Sequence, residues 1–181
     1  MNRRNFMGLS LGALAAGAAR ATDVPLGRKG VMLMNRIAPS ISQLMMANLD
    51  GSNERKLLVD TDYEYNGTLS PDGQWLIFTS ERRGDGQSDI FRARADGTGI
   101  APVITTDSMD DAAVLSPDGR TLAFVSTRNG YRANIWLQDL FTGRTLQLTG
   151  IGDIHGEDLY PDCYFRPAWS PDGQWLAFSS D

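Results

Sequence analysis

Residues 69–80 read LSPDGQWLIFTS, a polar turn-forming centre followed by a run in which Leu76 and Phe78 alternate with Trp75 and Ile77. A short run that is apolar at both parities predicts a strand covered on both faces rather than a half-wet one. The same arrangement returns at 115–126 as LSPDGRTLAFVS and at 169–180 as WSPDGQWLAFSS. Further short apolar runs follow the first two copies. Asp89 to Ala93 is mirrored by Asn134 to Leu137, and Val103–Thr105 by Thr145–Leu148. Tight turns, ADGTG and LFTGR, separate these runs, and brief apolar approaches precede the turns at Thr68-Leu69, Ala113–Leu115 and Ala168-Trp169.

The repeated turn explains itself residue by residue. In Pro71-Asp72-Gly73, Pro117-Asp118-Gly119 and Pro171-Asp172-Gly173, proline pre-sets φ at the second position of a type I turn. Aspartate suits the third position, and glycine accepts the positive φ of the fourth. Each unit therefore predicts four short antiparallel strands, and the units start at Ser70, Ser116 and Ser170, 46 and 54 residues apart. That is the arithmetic of a propeller blade. A β-sandwich also uses short strands at regular spacing, but it does not need one sequence three times. An earlier, diverged unit, VMLMNR (31–36), QLMMANLDGSN (43–53) and KLLV (56–59), matches the second, third and fourth strands of a blade, with Met34, Met45 and Met46 as packing residues. The predicted fold class is all-β: a partial β-propeller with two complete four-stranded antiparallel blades and an incomplete blade at each end. Three-, four-, four- and two-strand pieces cannot close a ring, so the expected parent is a longer protein.

The first residues read as a separate segment. MNRRNFMGLSLGALAAGAARA has a basic start, a weakly apolar middle and a small-residue end, the layout of an export signal over 1–21. Arg3-Arg4 with Phe6 resembles a twin-arginine signal. The competing reading is an anchor helix, but the uncharged stretch from Asn5 to Ala19 is 15 residues long, short of the roughly 20 that a span needs. The nucleophile-like pattern Gly8-Leu9-Ser10-Leu11-Gly12 falls inside this leader and lacks the strand, turn and helix such a motif requires. The expected organisation is a leader over 1–21 and a propeller over 22–181, with no later run long enough to cross a bilayer.

Composition narrows the partner. The 181 residues carry a net charge of −5, and loss of the leader would leave 14 basic and 22 acidic side chains, a net of −8. That excludes a nucleic-acid backbone, which needs a basic footprint. Cys163 is the only cysteine, so no internal disulfide forms; it reads as a small apolar packing residue, with a reactive thiol as the alternative.

These blades resemble the TolB-like β-propeller family, bacterial relatives of the WD-repeat proteins, in the pattern SPDG-x-x-apolar-x-F-x-S-x-R. The pattern runs from Ser70 to Arg82 and from Ser116 to Arg128, and again from Ser170 as far as Asp181. The resemblance implies a six- or seven-bladed periplasmic propeller that binds proteins or other cell-envelope ligands. Similar blades also form the gates of prolyl-oligopeptidase-type peptidases and parts of some polysaccharide lyases.

The candidate site is placed on the links that join one blade to the next. Asp60, Asp62 and Glu64 lie on the first link, Asp107, Asp110 and Asp111 on the second, and Asp153, Glu157, Asp158 and Asp162 on the third. In a radial array these carboxylates converge and would attract a cation or a basic partner; ordinary acids in exposed turns are the other reading. The third link, Gly150 to Trp169, is long and also holds the single histidine, His155, with Tyr160, Tyr164, Phe165 and Arg166. A hard-cation site from Asp153, Glu157 and Asp158 stays open, and His155 is read as a hydrogen-bonded structural residue or a ligand. One histidine and one cysteine argue against zinc. No cofactor is expected, GIGDIHG lacks a phosphate-loop pattern, and no nucleophile–base pair is visible, so these residues are expected to be catalytically inert by themselves. The functional expectation is an exported, non-catalytic binding or scaffold module. The alternatives are the gating propeller of a larger peptidase, or a propeller lyase or hydrolase that uses the acids and His155.

Overall fold

A computed structural model describes residues 30–39, 41–59, 63–84, 86–151 and 162–181. The leader expected over 1–21 lies outside the described residues. Among the described residues thirteen strands run in chain order, beginning with β1 (Val31–Ala38), β2 (Ile41–Asn48) and β3 (Arg55–Lys56). The second sheet is β4 (Glu64–Leu69), β5 (Trp75–Ser80), β6 (Asp89–Arg94) and β7 (Ala101–Ile104). The third is β8 (Asp110–Leu115), β9 (Thr121–Ser126), β10 (Asn134–Asp139) and β11 (Thr145–Gln147), and the last is β12 (Tyr164–Trp169) and β13 (Leu176–Ser180). Each sheet is an antiparallel meander in sequence order, with three, four, four and two strands. Among the described residues no helix is long and apolar enough to cross a membrane.

Three hydrophobic clusters show why the central strands are apolar on both faces. Leu76 and Phe78 of β5 point towards the first sheet and pack with Leu44, Met46, Leu57 and Leu58. Ile77, between them in the chain, points the other way and packs with Ala113, Leu122 and Phe124 of the third sheet. Val125 in turn leaves that cluster and packs with Ile135, Tyr164 and Leu176 towards the last sheet, with half-buried Cys163 beside them. Strand alternation thus assigns neighbouring residues to different inter-sheet layers. Each layer is shared by two blades.

The recurring corner is a compact hydrogen-bond device. Ser70 Oγ accepts from Trp75 N at 2.9 Å and donates to Asp72 Oδ1 at 2.5 Å, and Asp72 Oδ1 also accepts from Gln74 N at 3.0 Å. Gly73 N donates to Ser70 O at 2.8 Å and closes the turn. Ser116–Asp118 and Ser170–Asp172 repeat these bonds. The serine hydroxyl, then the backbone amide, hold the Asp72, Asp118 and Asp172 carboxyls below their ordinary range. Gly73, Gly119 and Gly173 take φ of 70°, 73° and 70°.

A second repeated device locks the inside of each complete blade. Arg128 Nη2 meets Asp110 Oδ1 at 2.8 Å, its Nε donates to Ser126 Oγ at 2.8 Å, and its guanidinium lies 5.1 Å from the Phe124 ring and 4.9 Å from that of Trp136. Arg82 does the same with Glu64, Ser80, Phe78 and Phe91. A planar guanidinium serves here because it stacks and forks at once, which an ammonium cannot.

The first strand of each later sheet is longer than the apolar approach in the sequence implies. β4, β8 and β12 have six residues each. Their register shifts between Tyr65 and Thr68, Asp111 and Val114, and Phe165 and Ala168. The bulge breaks the two-residue period and hides the front half of the strand. For the same reason Tyr164, Phe165 and Arg166, expected on an unstructured link, are the opening residues of β12.

Gly97 and Gly119 separate two glycine requirements. Both have positive φ, yet a methyl on Gly119 would meet nothing within 4 Å, whereas one on Gly97 would come 1.9 Å from the carbonyl oxygen of Leu57 in the neighbouring sheet. Urea unfolding of Gly119→Ala is expected to show a loss of about 1 kcal/mol from left-handed strain, with Gly97→Ala losing at least twice that; equal losses would refute the close blade approach. Arg128→Ala, which leaves the fully buried Asp110 carboxylate without its cation, is expected to cost about 3 kcal/mol. Arg128→Lys should fall between it and the unmodified chain, and a neutral Arg128→Ala would refute the lock.

Candidate functional site

The first strands β4, β8 and β12 stand side by side as the inner wall of the array. Thr68 Oγ1 donates to Ala113 O at 3.1 Å, and Trp169 Nε1 to Val114 O at 3.3 Å, tying each inner strand to the next. The bulge recurs at one geometric place, four residues before each turn serine. It puts a non-glycine residue in the left-handed region in all three strands: Asn66 at φ 49°, Ala112 at 51° and Arg166 at 53°. Side chains seldom adopt that conformation without support from their surroundings.

Asp111 is the clasp between two of these bulges. Its Oδ1 accepts from Asn66 Nδ2 at 2.8 Å, Thr79 Oγ1 at 2.7 Å and Ala112 N at 2.6 Å. Between the second and third bulges opens a cavity of about 410 Å³, lined by Asn66, Asp111, Ala112, Val125, Phe165, Arg166 and Ser179. Immediately before Asn66 in β4, Tyr65 donates its hydroxyl to Glu81 at 3.0 Å. Burial first, then that hydrogen bond, push the Tyr65 phenol upward, so it stays a protonated donor.

The expected acidic ring is redistributed by this geometry. Asp110 is not a link residue with an open carboxylate. It opens β8, is fully buried, and is bound by Arg128 and by Thr106 Oγ1 at 2.7 Å. Glu64 holds the matching place in β4 and is likewise buried against Arg82. A carboxylate neutralised in this way adds little to a field at the channel mouth. Asp111 does reach the cavity, although three donors engage one of its oxygens. Asp162 is exposed and precedes the half-buried Cys163. Asp62, Asp153, His155, Glu157 and Asp158 lie outside the described residues. Pro71, Asp72, Gly73, Pro117, Asp118, Gly119, Pro171, Asp172 and Gly173 all occupy the repeated corners.

Asn66 and Ala112 escaped sequence reasoning because their residue types do not repeat. The available signal was positional: both stand at one fixed offset from the serine of the corner.

The fold is similar to that of TolB from Acinetobacter baumannii, with a TM-score of 0.62 and 23% identity over 81% of this chain and 34% of that one. A putative TolB from Agrobacterium tumefaciens gives 0.64 and 23%, over 83% of this chain and 55% of that one. Oligogalacturonate lyase from Vibrio parahaemolyticus gives 0.54 and 15%, over 81% and 41%. The chain thus spans about a third to a half of the length of these relatives, and the likeness is one of fold. No curated protein sequence matches this chain. Residues 24–164, by contrast, match the family described as the TolB beta propeller domain. With blades, corners and inner wall all in agreement, this chain belongs to the TolB β-propeller family.

Proposed function

We propose that the protein is an exported, non-catalytic propeller that binds a protein or other cell-envelope partner on the wall formed by β4, β8 and β12. The observation that carries the proposal is a contrast between what repeats and what varies. The frame repeats: serine and aspartate at the corner, arginine in the aromatic stack, and the bulge itself. At the bulge, one backbone geometry displays an amide, a methyl and a guanidinium in turn, at Asn66, Ala112 and Arg166. Radial scaffolds that hold a backbone constant and vary the side chains at its inner rim generate recognition surfaces.

Export is supported by the basic, apolar and small-residue layout of 1–21 and by family membership, both of which suit a periplasmic protein. A non-catalytic role is supported by the way buried carboxylates are used. Glu64 and Asp110, both buried, are bound to arginines rather than set against a nucleophile.

Site-specific photo-cross-linking tests the reading. A photoreactive side chain at Asn66 or Ser179, which both line the cavity, in the complete exported protein is expected to give one shared discrete adduct with an envelope component. The same group at Thr142, on the distant β10–β11 hairpin, should give none. Adducts of equal yield at all three positions, or at Thr142 alone, would overturn the assignment of the partner to the inner wall.

A further inference from the structure

We propose that the cavity between the Ala112 and Arg166 bulges is a carboxylate-binding subsite for a peptide group that has an apolar side chain beside its acid. This rests on the inner wall being a binding surface and specifies which chemistry that wall selects.

Arg166 makes no ion pair with any described residue, in contrast to Arg82 and Arg128, which are locked into stacks. It is exposed, it lines the cavity, and it is held at φ 53° where a long side chain gains nothing from local structure. A free guanidinium in a strongly acidic chain would ordinarily be taken up by a neighbouring carboxylate. Asp111 also lines the cavity, but its Oδ1 is held by Asn66, Thr79 and Ala112, and no ion pair joins it to Arg166. The guanidinium is therefore available to a ligand in the cavity. The planar fork of an arginine matches a carboxylate, two N–H groups against two oxygens.

The rest of the lining sets the second half of the specificity. Phe165, Val125 and Ala112 present apolar surface, while Ser179 Oγ donates to Phe165 O at 3.2 Å, which leaves its oxygen as an acceptor for a donor such as a peptide N–H. A cavity of about 410 Å³ is within the size range of small-ligand sites. A single guanidinium beside an apolar wall suits one carboxylate with an adjoining hydrocarbon or aromatic group. Phosphate would require several converging donors.

The test is an NMR titration of the mature protein with N-acetyl-L-phenylalanine, with N-acetyl-L-phenylalaninamide and inorganic phosphate as comparisons. The acid is expected to shift the backbone amides of Ala112, Phe165 and Arg166 saturably. The neutral amide and Arg166→Ala should each weaken binding about tenfold, as befits one charged hydrogen-bond pair, with Arg166→Lys in between. Unchanged amide shifts in the other three sheets will establish that Arg166→Ala is folded. Equal binding of acid and amide, undiminished binding by Arg166→Ala, or phosphate binding as tight as the acid would each overturn the subsite. Cross-links at the inner wall without probe binding would remove the carboxylate chemistry and leave the protein-binding reading intact. Probe binding without those cross-links would uphold the subsite and remove the protein partner.

Discussion

Burial on both faces is the constraint from which the rest of the structure follows. A strand such as β5, with Leu76 and Phe78 on one side and Ile77 on the other, cannot satisfy both sides with one neighbour. It needs a sheet in front and a sheet behind, and that requirement passes from blade to blade. Stacked sheets twist relative to each other, so the chain must leave each inner strand through the same corner. The proline, aspartate and glycine of that corner are repeated because the geometry they serve is repeated. The close approach of Gly97 to the Leu57 carbonyl belongs to the same logic: tight stacking leaves no space for a side chain there.

Much of this frame was legible in the residues, and what was hidden was hidden for identifiable reasons. The second strands, Trp75–Ser80 and Thr121–Ser126, are uninterrupted by bulges and bounded by strong turn residues, so their pattern reads directly. The inner strands carry a bulge, which changes the side-chain parity half-way and erases the local period. The arginine of the blade pattern was visible as a letter, but its partner was not. Glu64 and Arg82, like Asp110 and Arg128, are separated by 18 positions, so only the meander brings them together. Glu64 and Asp110 therefore looked like loop acids when they are the buried half of an ion pair.

The candidate site shows the same division. Asp111 was identifiable as an acid near the inner face, but its role as an inter-blade clasp depends on Asn66 and Thr79 of the preceding sheet. Arg166 was visible in a long aromatic-rich link, yet its place at the bulge of β12 and beside a cavity shared with Asp111 emerges only from the fold. In this arrangement one cavity brings together the hydrogen bonds that hold two blades and a charge that forms no ion pair with a described residue.

A pair of double-mutant cycles tests the account most directly, because Ile77 and Phe78 are adjacent in the chain but assigned to different inter-sheet layers. Ile77→Ala combined with Phe124→Ala is expected to show a coupling energy above about 0.5 kcal/mol, since both line one layer. Phe78→Ala combined with Phe124→Ala should be additive to within about 0.5 kcal/mol, because a whole sheet separates them. Coupling in the second cycle and additivity in the first would mean that the strands do not divide their faces between two neighbours, and the stacked-blade account would fail.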